Sequence, residues 1–310
     1  MTSQRLTGPR RLPLTDSEAA ARPRLGKIEV VANVASGSVG PTAPAEMEKL
    51  LAEFGISARV RTPQPADLID QLKAAIDTAP DLLITLAGDG TVRAAAELCG
   101  IDGPMIAPLP GGTMNMMPHA VYGARPWQEA LKLALEDGRE RDLGGGCIGG
   151  HRFLCAAILG SPARLAPVRE AARAGRLGDA FGHAKHALRR AFTGRLRYQL
   201  DNGQRSKAEA LVLICPIASK VMRAEDPCLE AAGLNPSGAG EILRLGINAL
   251  VRDWRADSSV EDQFCKRAQV WAAQGIPALL DGETVRLPSV VEVRYDPRVC
   301  RVLTPPKDER

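Results

Sequence analysis

Asp81-Leu82-Leu83-Ile84-Thr85-Leu86-Ala87-Gly88-Asp89-Gly90-Thr91 sets the reading of the whole chain. Leu82, Leu83, Ile84 and Leu86 form the apolar run of a strand buried on both faces. Gly88-Asp89-Gly90 breaks that run. The next residues, Thr91-Val92-Arg93-Ala94-Ala95-Ala96-Glu97-Leu98, are Ala-rich and read as a helix. Strand, glycine turn, helix is an arrangement suited to phosphate. Glycine lets the backbone come close to an anion, and the unpaired amides and dipole of a helix N-terminus attract it. Asp89 is the odd residue: a carboxylate beside a polyphosphate repels it, unless a divalent cation bridges the two or the acid has a chemical task.

Two further glycine loops flank this stretch. Lys27 to Asn33 alternates as a β-branched strand and runs into Asn33-Val34-Ala35-Ser36-Gly37-Ser38-Val39-Gly40. Pro104 to Leu109 is a short apolar strand ending in Pro110-Gly111-Gly112-Thr113-Met114-Asn115. Between them the spacing predicts helices over Pro44–Phe54 and Ala66–Asp77 and a strand over Ile56–Arg61. A short helix over Met116–Val121 and a clear one over Pro126–Leu135 follow. Such alternation predicts a three-layer α/β domain with a mainly parallel sheet. Ligands in such sheets bind beyond the C-terminal strand ends. All three glycine loops fall at that edge, so they can share one crevice.

Past Asp142 the pattern turns to β: Arg152–Leu159, Arg195–Leu200, Ala208–Cys215, Glu241–Leu245, Ala268–Trp271, Pro277–Leu280, Val290–Tyr295 and Cys300–Leu303. Short strands separated by turns predict a β-sandwich. We therefore expect a leader over 1–26, an α/β domain over 27–142 and a β-sandwich domain with inserted helices over 143–310. One insert, Ala163–Phe192, is basic and amphipathic. It reads either as a solvated helix covering a sheet or as a helix resting on an anionic membrane. Its His183 and His186 read as surface residues, and the second insert, Leu245–Arg255, as structural. Asp281-Gly282-Glu283 reads as a hairpin turn. Were it to face the crevice, Glu283 or Asp281 could take a proton from a hydroxyl.

Composition narrows the classes. The 310 residues suit two domains, and only 4% are aromatic, so the cores must be aliphatic. A net charge of +4 without a basic, aromatic-interleaved stripe gives no reason to expect nucleic acid. No apolar run reaches the roughly 18 residues of a membrane span. Seven cysteines, scattered and with no C-x-x-C pair, read as buried thiols in a reducing cytosol. The first 24 residues carry five Arg among Pro, Thr and Ser with no apolar core, and read as a disordered leader. No Gly-x-x-x-x-Gly-Lys-Ser/Thr loop is present, which excludes a P-loop NTPase.

The three loops and the late acidic turn, in this order, resemble the diacylglycerol kinase catalytic-domain family, which includes bacterial lipid kinases and sphingosine and ceramide kinases. The matching positions are Asn33-Val34-Ala35-Ser36-Gly37, Ala87-Gly88-Asp89-Gly90-Thr91, Pro110-Gly111-Gly112-Thr113-Met114-Asn115 and Asp281-Gly282-Glu283. The resemblance implies an ATP-dependent lipid kinase, with ATP and Mg2+ bound by the α/β domain, the lipid held by the sandwich and chemistry in the cleft between. By position it makes Glu283 the proton acceptor; Asp89 would organise Mg-ATP or assist that base, and Asp281 of the same turn completes the catalytic candidates. Nucleotide contact falls to Asn33, Ser36, Gly37, Thr62, Gly88, Asp89, Gly90, Thr91, Gly111, Gly112, Thr113 and Asn115. It implies a cytoplasmic enzyme, peripheral at the inner membrane surface, with a lipid substrate, no nucleic acid, and a homodimer as one permitted assembly. The chain departs from the family in three places. Ala87 replaces a glycine, Met116 stands where many relatives have Asp, and Leu229-Glu230-Ala231-Ala232-Gly233-Leu234-Asn235 is a degraded counterpart of an acidic segment that holds structural Mg2+. No resident metal site is therefore expected. An NAD kinase-like enzyme and a catalytically weak nucleotide- or lipid-binding regulator are the alternative readings.

Overall fold

A computed structural model describes residues 23–37, 39–160, 196–219, 221–222, 226–235 and 260–306. The leader through residue 22, the basic insert, and the expected segments Glu241–Leu245 and Leu245–Arg255 lie outside the described residues.

Four strands, β1 (Ile28–Ala32), β2 (Arg59–Arg61), β3 (Leu82–Ala87) and β4 (Met105–Pro110), pair in parallel in the order β2-β1-β3-β4. Every residue of β1, β3 and β4 is buried, as strands covered on both sides require. The helices are α1 (Ala43–Glu53), α2 (Leu68–Ile76), α3 (Asp89–Cys99), α4 (Met116–Tyr122) and α5 (Trp127–Asp137). Met47 and Leu51, Leu72 and Ala75, and Val92, Ala95 and Ala96 are the buried stripes of α1, α2 and α3, and they share one core with the strands. Pro108 and Pro110 sit in β4, an unusual place for residues with no N–H to give. Their neighbour on that side pairs with β4 only at Ile106, before the first proline, so no ladder bond is lost.

The remaining strands are β5 (Arg139–Ile148), β6 (His151–Phe153), β7 (Ala156–Gly160), β8 (Leu196–Leu200), β9 (Ser206–Ala208), β10 (Ala210–Ile214), β11 (Leu229–Leu234), β12 (Val260–Cys265), β13 (Arg267–Trp271), β14 (Ile276–Leu280), β15 (Glu283–Leu287) and β16 (Val290–Thr304). The parallel sheet continues through β16 into β13, β8 and β9, with β5 and β6 attached to β16. A second, antiparallel sheet runs β12-β11-β10-β7-β14-β15. Ile148, Tyr198, Val270 and Val293 of the first sheet and Leu159, Leu213, Ala278 and Leu280 of the second meet in one core, the expected β-sandwich.

Two local expectations change. Val290–Tyr295 and Cys300–Leu303 are not two strands but one, β16, with its register shifted between Asp296 and Cys300. Pro297 falls within that irregularity, where an absent N–H costs least. The position expected to divide the domains, residue 142, lies inside β5: Leu143 packs in the first core and Ile148 in the second. β16 likewise has Val293 in the second core and Val302 and Leu303 in the first, where Tyr122 Oη donates to the Leu303 carbonyl at 2.7 Å. Gly144, Gly145 and Gly146 lie within β5. A methyl group on Gly144 would overlap the Tyr295 hydroxyl, and one on Gly146 the fully buried Phe153 ring. Gly146→Ala is expected to lower stability by about 1–3 kcal/mol through overpacking, read as a shift in urea midpoint with unchanged m-value.

Candidate functional site

The two flanking glycine loops are each closed by an asparagine side chain, and the central one by backbone alone. At the end of β1, Asn33 N–H extends the ladder to the Leu86 carbonyl at 2.9 Å, and Asn33 Oδ1 accepts from Ala35 N at 3.1 Å. At the end of β3, Gly88 is extended, and its carbonyl accepts from the amides of Thr91 and Val92, both at 3.1 Å, as α3 begins. At the end of β4, Asn115 has φ +51° and clasps Gly112 at both ends: Oδ1 accepts from Gly112 N at 2.7 Å and Nδ2 donates to Gly112 O at 3.0 Å. Asparagine tolerates that left-handed conformation better than most residues.

The loops then meet. A Cβ built on Gly88 would lie 3.2 Å from Ser36 Oγ and 3.6 Å from Gly112 Cα. One on Gly112 would lie 2.6 Å from Gly88 Cα, one on Gly111 2.6 Å from Ala87 N, and one on Gly37 3.1 Å from Thr113 Oγ1. The backbones approach too closely for larger residues. Beside them opens a cleft of about 480 Å³ lined by Asn33, Ser36, Gly88, Gly90, Thr91, Arg93 and Glu283, with Leu68 and Ile69 of α2 on one wall. Thr62 is exposed and lines a separate hollow of about 330 Å³ with Arg59, Arg61 and Gln71; it is not brought into the cleft.

The three expected acids take three different places. Glu283 follows a two-residue hairpin turn, Asp281 (φ +46°) and Gly282 (φ +91°), between β14 and β15. Positive φ at both positions is the primed turn that matches strand twist. Its side chain, 47% exposed, forms an ion pair with Arg93 of α3. A methyl on Gly90 would overlap Glu283 Oε1, so the glycine turn makes room for a carboxylate given by the other half of the chain.

Asp281, expected as a second proton acceptor, is instead a buried clamp. Its Oδ2 accepts from Leu154 N at 2.6 Å, and its Oδ1 from Cys155 N at 2.8 Å and Ala156 N at 2.9 Å. Burial raises its pKa, and these three amides pull it back. Asp89 opens α3 and reaches the start of α4, where Oδ1 accepts from Met117 N at 3.4 Å. Burial raises its pKa too, with the amides of Met117, Met116 and Asn115 acting against the rise. Its carboxylate thus faces the N-terminal end of α4.

Arg93 was not singled out by the sequence. It is 17% exposed, donates to the Leu280 carbonyl at 3.3 Å as well as to Glu283, and lines the cleft. Its signal was a lone cation in an Ala-rich helix, four residues after Asp89 and so on the same helical face. Glu230, in the degraded acidic segment, is buried in β11 and accepts from Ser219 Oγ. Among the described residues no group of three His, Cys, Asp or Glu side chains could hold a metal ion.

The architecture is a glycine-loop α/β domain joined through a shared sheet to a β-sandwich, with one carboxylate crossing between them. Residues 27–145 match the model of the diacylglycerol kinase catalytic domain. The crystal structure of a diacylglycerol kinase from Bacillus anthracis str. Sterne superposes with a TM-score of 0.65 at 14% identity, covering 92% of this chain and 99% of that one. Two further structures from the same organism reach 0.68 at 15% and 18% identity with the same coverage. At such identity the likeness is one of fold. No curated protein matches the sequence.

Removing the clamp and removing the exposed acid should differ sharply. Asp281→Ala leaves three buried amides unpaired and is expected to cost about 3 kcal/mol or more. Glu283→Gln breaks only a partly exposed ion pair and should stay within about 1 kcal/mol of wild type. Urea denaturation of both variants checks the contrast.

Proposed function

We propose that this chain is an ATP-dependent lipid kinase that transfers the γ-phosphoryl group to a hydroxyl of a diacylglycerol-like or sphingoid lipid at the cytoplasmic face of a membrane. One observation carries the reading: Glu283, from the sandwich, stands over Gly90 in the glycine turn of the other half, within the cleft where the loops converge.

The residues present fit a nucleotide. The backbone at Gly88 to Gly90 and Ser36 offers close approach to phosphates, and α3 points its N-terminus there. Leu68 and Ile69 give an apolar wall for a base; Ile69 is 43% exposed, a large apolar side chain otherwise without a reason to face solvent. Mg2+ would arrive on the phosphates, with Glu283 the carboxylate that lines the cleft. When bound, it neutralises phosphate charge.

In-line transfer asks the protein chiefly for positioning and charge. The loops hold the phosphates. Glu283 accepts the proton of the attacking hydroxyl. Arg93 holds that carboxylate against Gly90 and brings a positive charge to the same cleft. Asp89 positions the Asn115–Met117 junction where the third loop enters α4. Among the described residues no helix is long and apolar enough to cross a membrane, so the lipid is met at a surface.

With labelled ATP and Mg2+, dioleoylglycerol and sphingosine in mixed micelles should accept phosphate. Glu283→Gln should lower kcat about 10²- to 10⁴-fold and leave the nucleotide KM near wild type. Phosphorylation of NAD in a parallel reaction, with neither lipid labelled, would replace this reading by the NAD kinase one.

A further inference from the structure

The outward face of the sandwich's larger sheet carries a row of side chains that the cleft does not explain. Strand register places Lys207 of β9 opposite Arg197 of β8, Arg197 opposite Trp271 of β13, and Trp271 opposite Val290 of β16. Paired residues project to the same side of a sheet. Their neighbours Leu196, Tyr198, Val270 and Val291 fill the core, so this row faces out. Lys207, Arg197 and Val290 are exposed, Val290 to 51%. Arg205 adds a third cation, its Cζ 4.9 Å from the Trp271 ring centroid.

Two features are costly unless used. Like charges directly opposite on neighbouring strands repel, yet Lys207 and Arg197 stand so, and among the described residues neither they nor Arg205 has an ion-pair partner. Further along the same face Arg267 and Arg294 share a single acid, Glu292. Beside these cations Trp271 and Val290 offer apolar surface to water. Arg197, Lys207 and Trp271, with Ala272 and Ala273, line a depression of about 400 Å³. Two cations at the rim of a hollow with an indole wall suit one phosphate-bearing headgroup, and an indole beside an exposed aliphatic chain suits the water–lipid boundary.

We propose that this face docks on an anionic phospholipid bilayer, with a phosphodiester headgroup seated between Arg197 and Lys207 and Trp271 and Val290 entering the interface. The inference deepens the lipid-kinase reading and rests on it for the sense of meeting a bilayer, but its binding chemistry is separate. The surface is distinct from the cleft: Trp271 lies before β14, and Asp281 and Glu283 lie beyond its far end, roughly 17 Å along that five-residue strand. A nucleic acid would find one indole already covered by Arg205, and would gain nothing from Val290.

The test floats the full chain with vesicles of phosphatidylcholine alone or with equal phosphatidylglycerol. Wild type should rise with the anionic vesicles at low salt and be released at high salt. Arg197→Ala with Lys207→Ala should weaken binding about 30-fold, at about fivefold per basic side chain. Trp271→Ala should weaken it at low salt, with every basic side chain still in place. Arg197→Glu with Lys207→Glu, on the surface and checked by thermal melting, keeps the test decisive should Trp271→Ala not fold. Phosphorylation of dioleoylglycerol in uncharged detergent micelles should be unchanged in the charge variants. Vesicle binding that depends on these residues supports the docking face even if no lipid is phosphorylated. Equal flotation with both vesicle types, unaltered binding by the Glu variants, or preferential binding of a DNA duplex overturns it whatever the kinase activity.

Discussion

Asp281 gives its carboxylate to three consecutive amides, Leu154, Cys155 and Ala156, across the gap between β6 and β7. A carboxylate taken out of water pays a large desolvation cost, and only several hydrogen bonds to its charged form offset it. That requirement pins the tip of the β14–β15 hairpin to the sandwich. The turn allows two residues, both at positive φ, before β15 begins, so Glu283 has little freedom once Asp281 is fixed. From there Arg93 and Gly90 take over: one attracts the carboxylate, the other leaves space for it. The site therefore depends on an acid whose own carboxylate is taken up by backbone amides.

The second constraint is the shared sheet. β16 pairs with β13 along its first half, with β5 along most of its length, and with β4 at Val302. The two cores are thus joined by a continuous ladder rather than by a linker. The crevice between the glycine loops and the hairpin is set by strand register. Any wide opening would have to break hydrogen bonds of β5 and β16. The small residues of β5, Gly144 to Gly146, let Tyr295 and Phe153 lie across that ladder.

Three acids of similar local context end in different states because of what surrounds them. Asp281 is buried and held by amides, Asp89 is half-buried against the start of α4, and Glu283 is partly exposed and paired. The match of residues 27–145 to the diacylglycerol kinase catalytic domain agrees with the glycine loops, which are the part of the site written in local sequence. The position of Thr62 does not follow from such signals. It stands at the end of β2, one strand out from β1, and opens on its own hollow.

By itself the sequence determined the backbone of the cradle. Glycines after three apolar runs, an Asn at each flanking loop, and Asp-Gly between strands at a tight turn are local demands of φ, close approach and capping, and each was legible where it stood. It also determined the layers, because buried strands and amphipathic helices differ in period. The tertiary structure alone decided which acid is buried on backbone amides and which stands in the cleft. It also joined Val290–Thr304 into one strand spanning both cores, and set Arg197, Lys207 and Trp271 side by side. Those outcomes rest on contacts between residues as far apart as Arg93 and Glu283, and no local pattern encodes which distant partner will fill a given space.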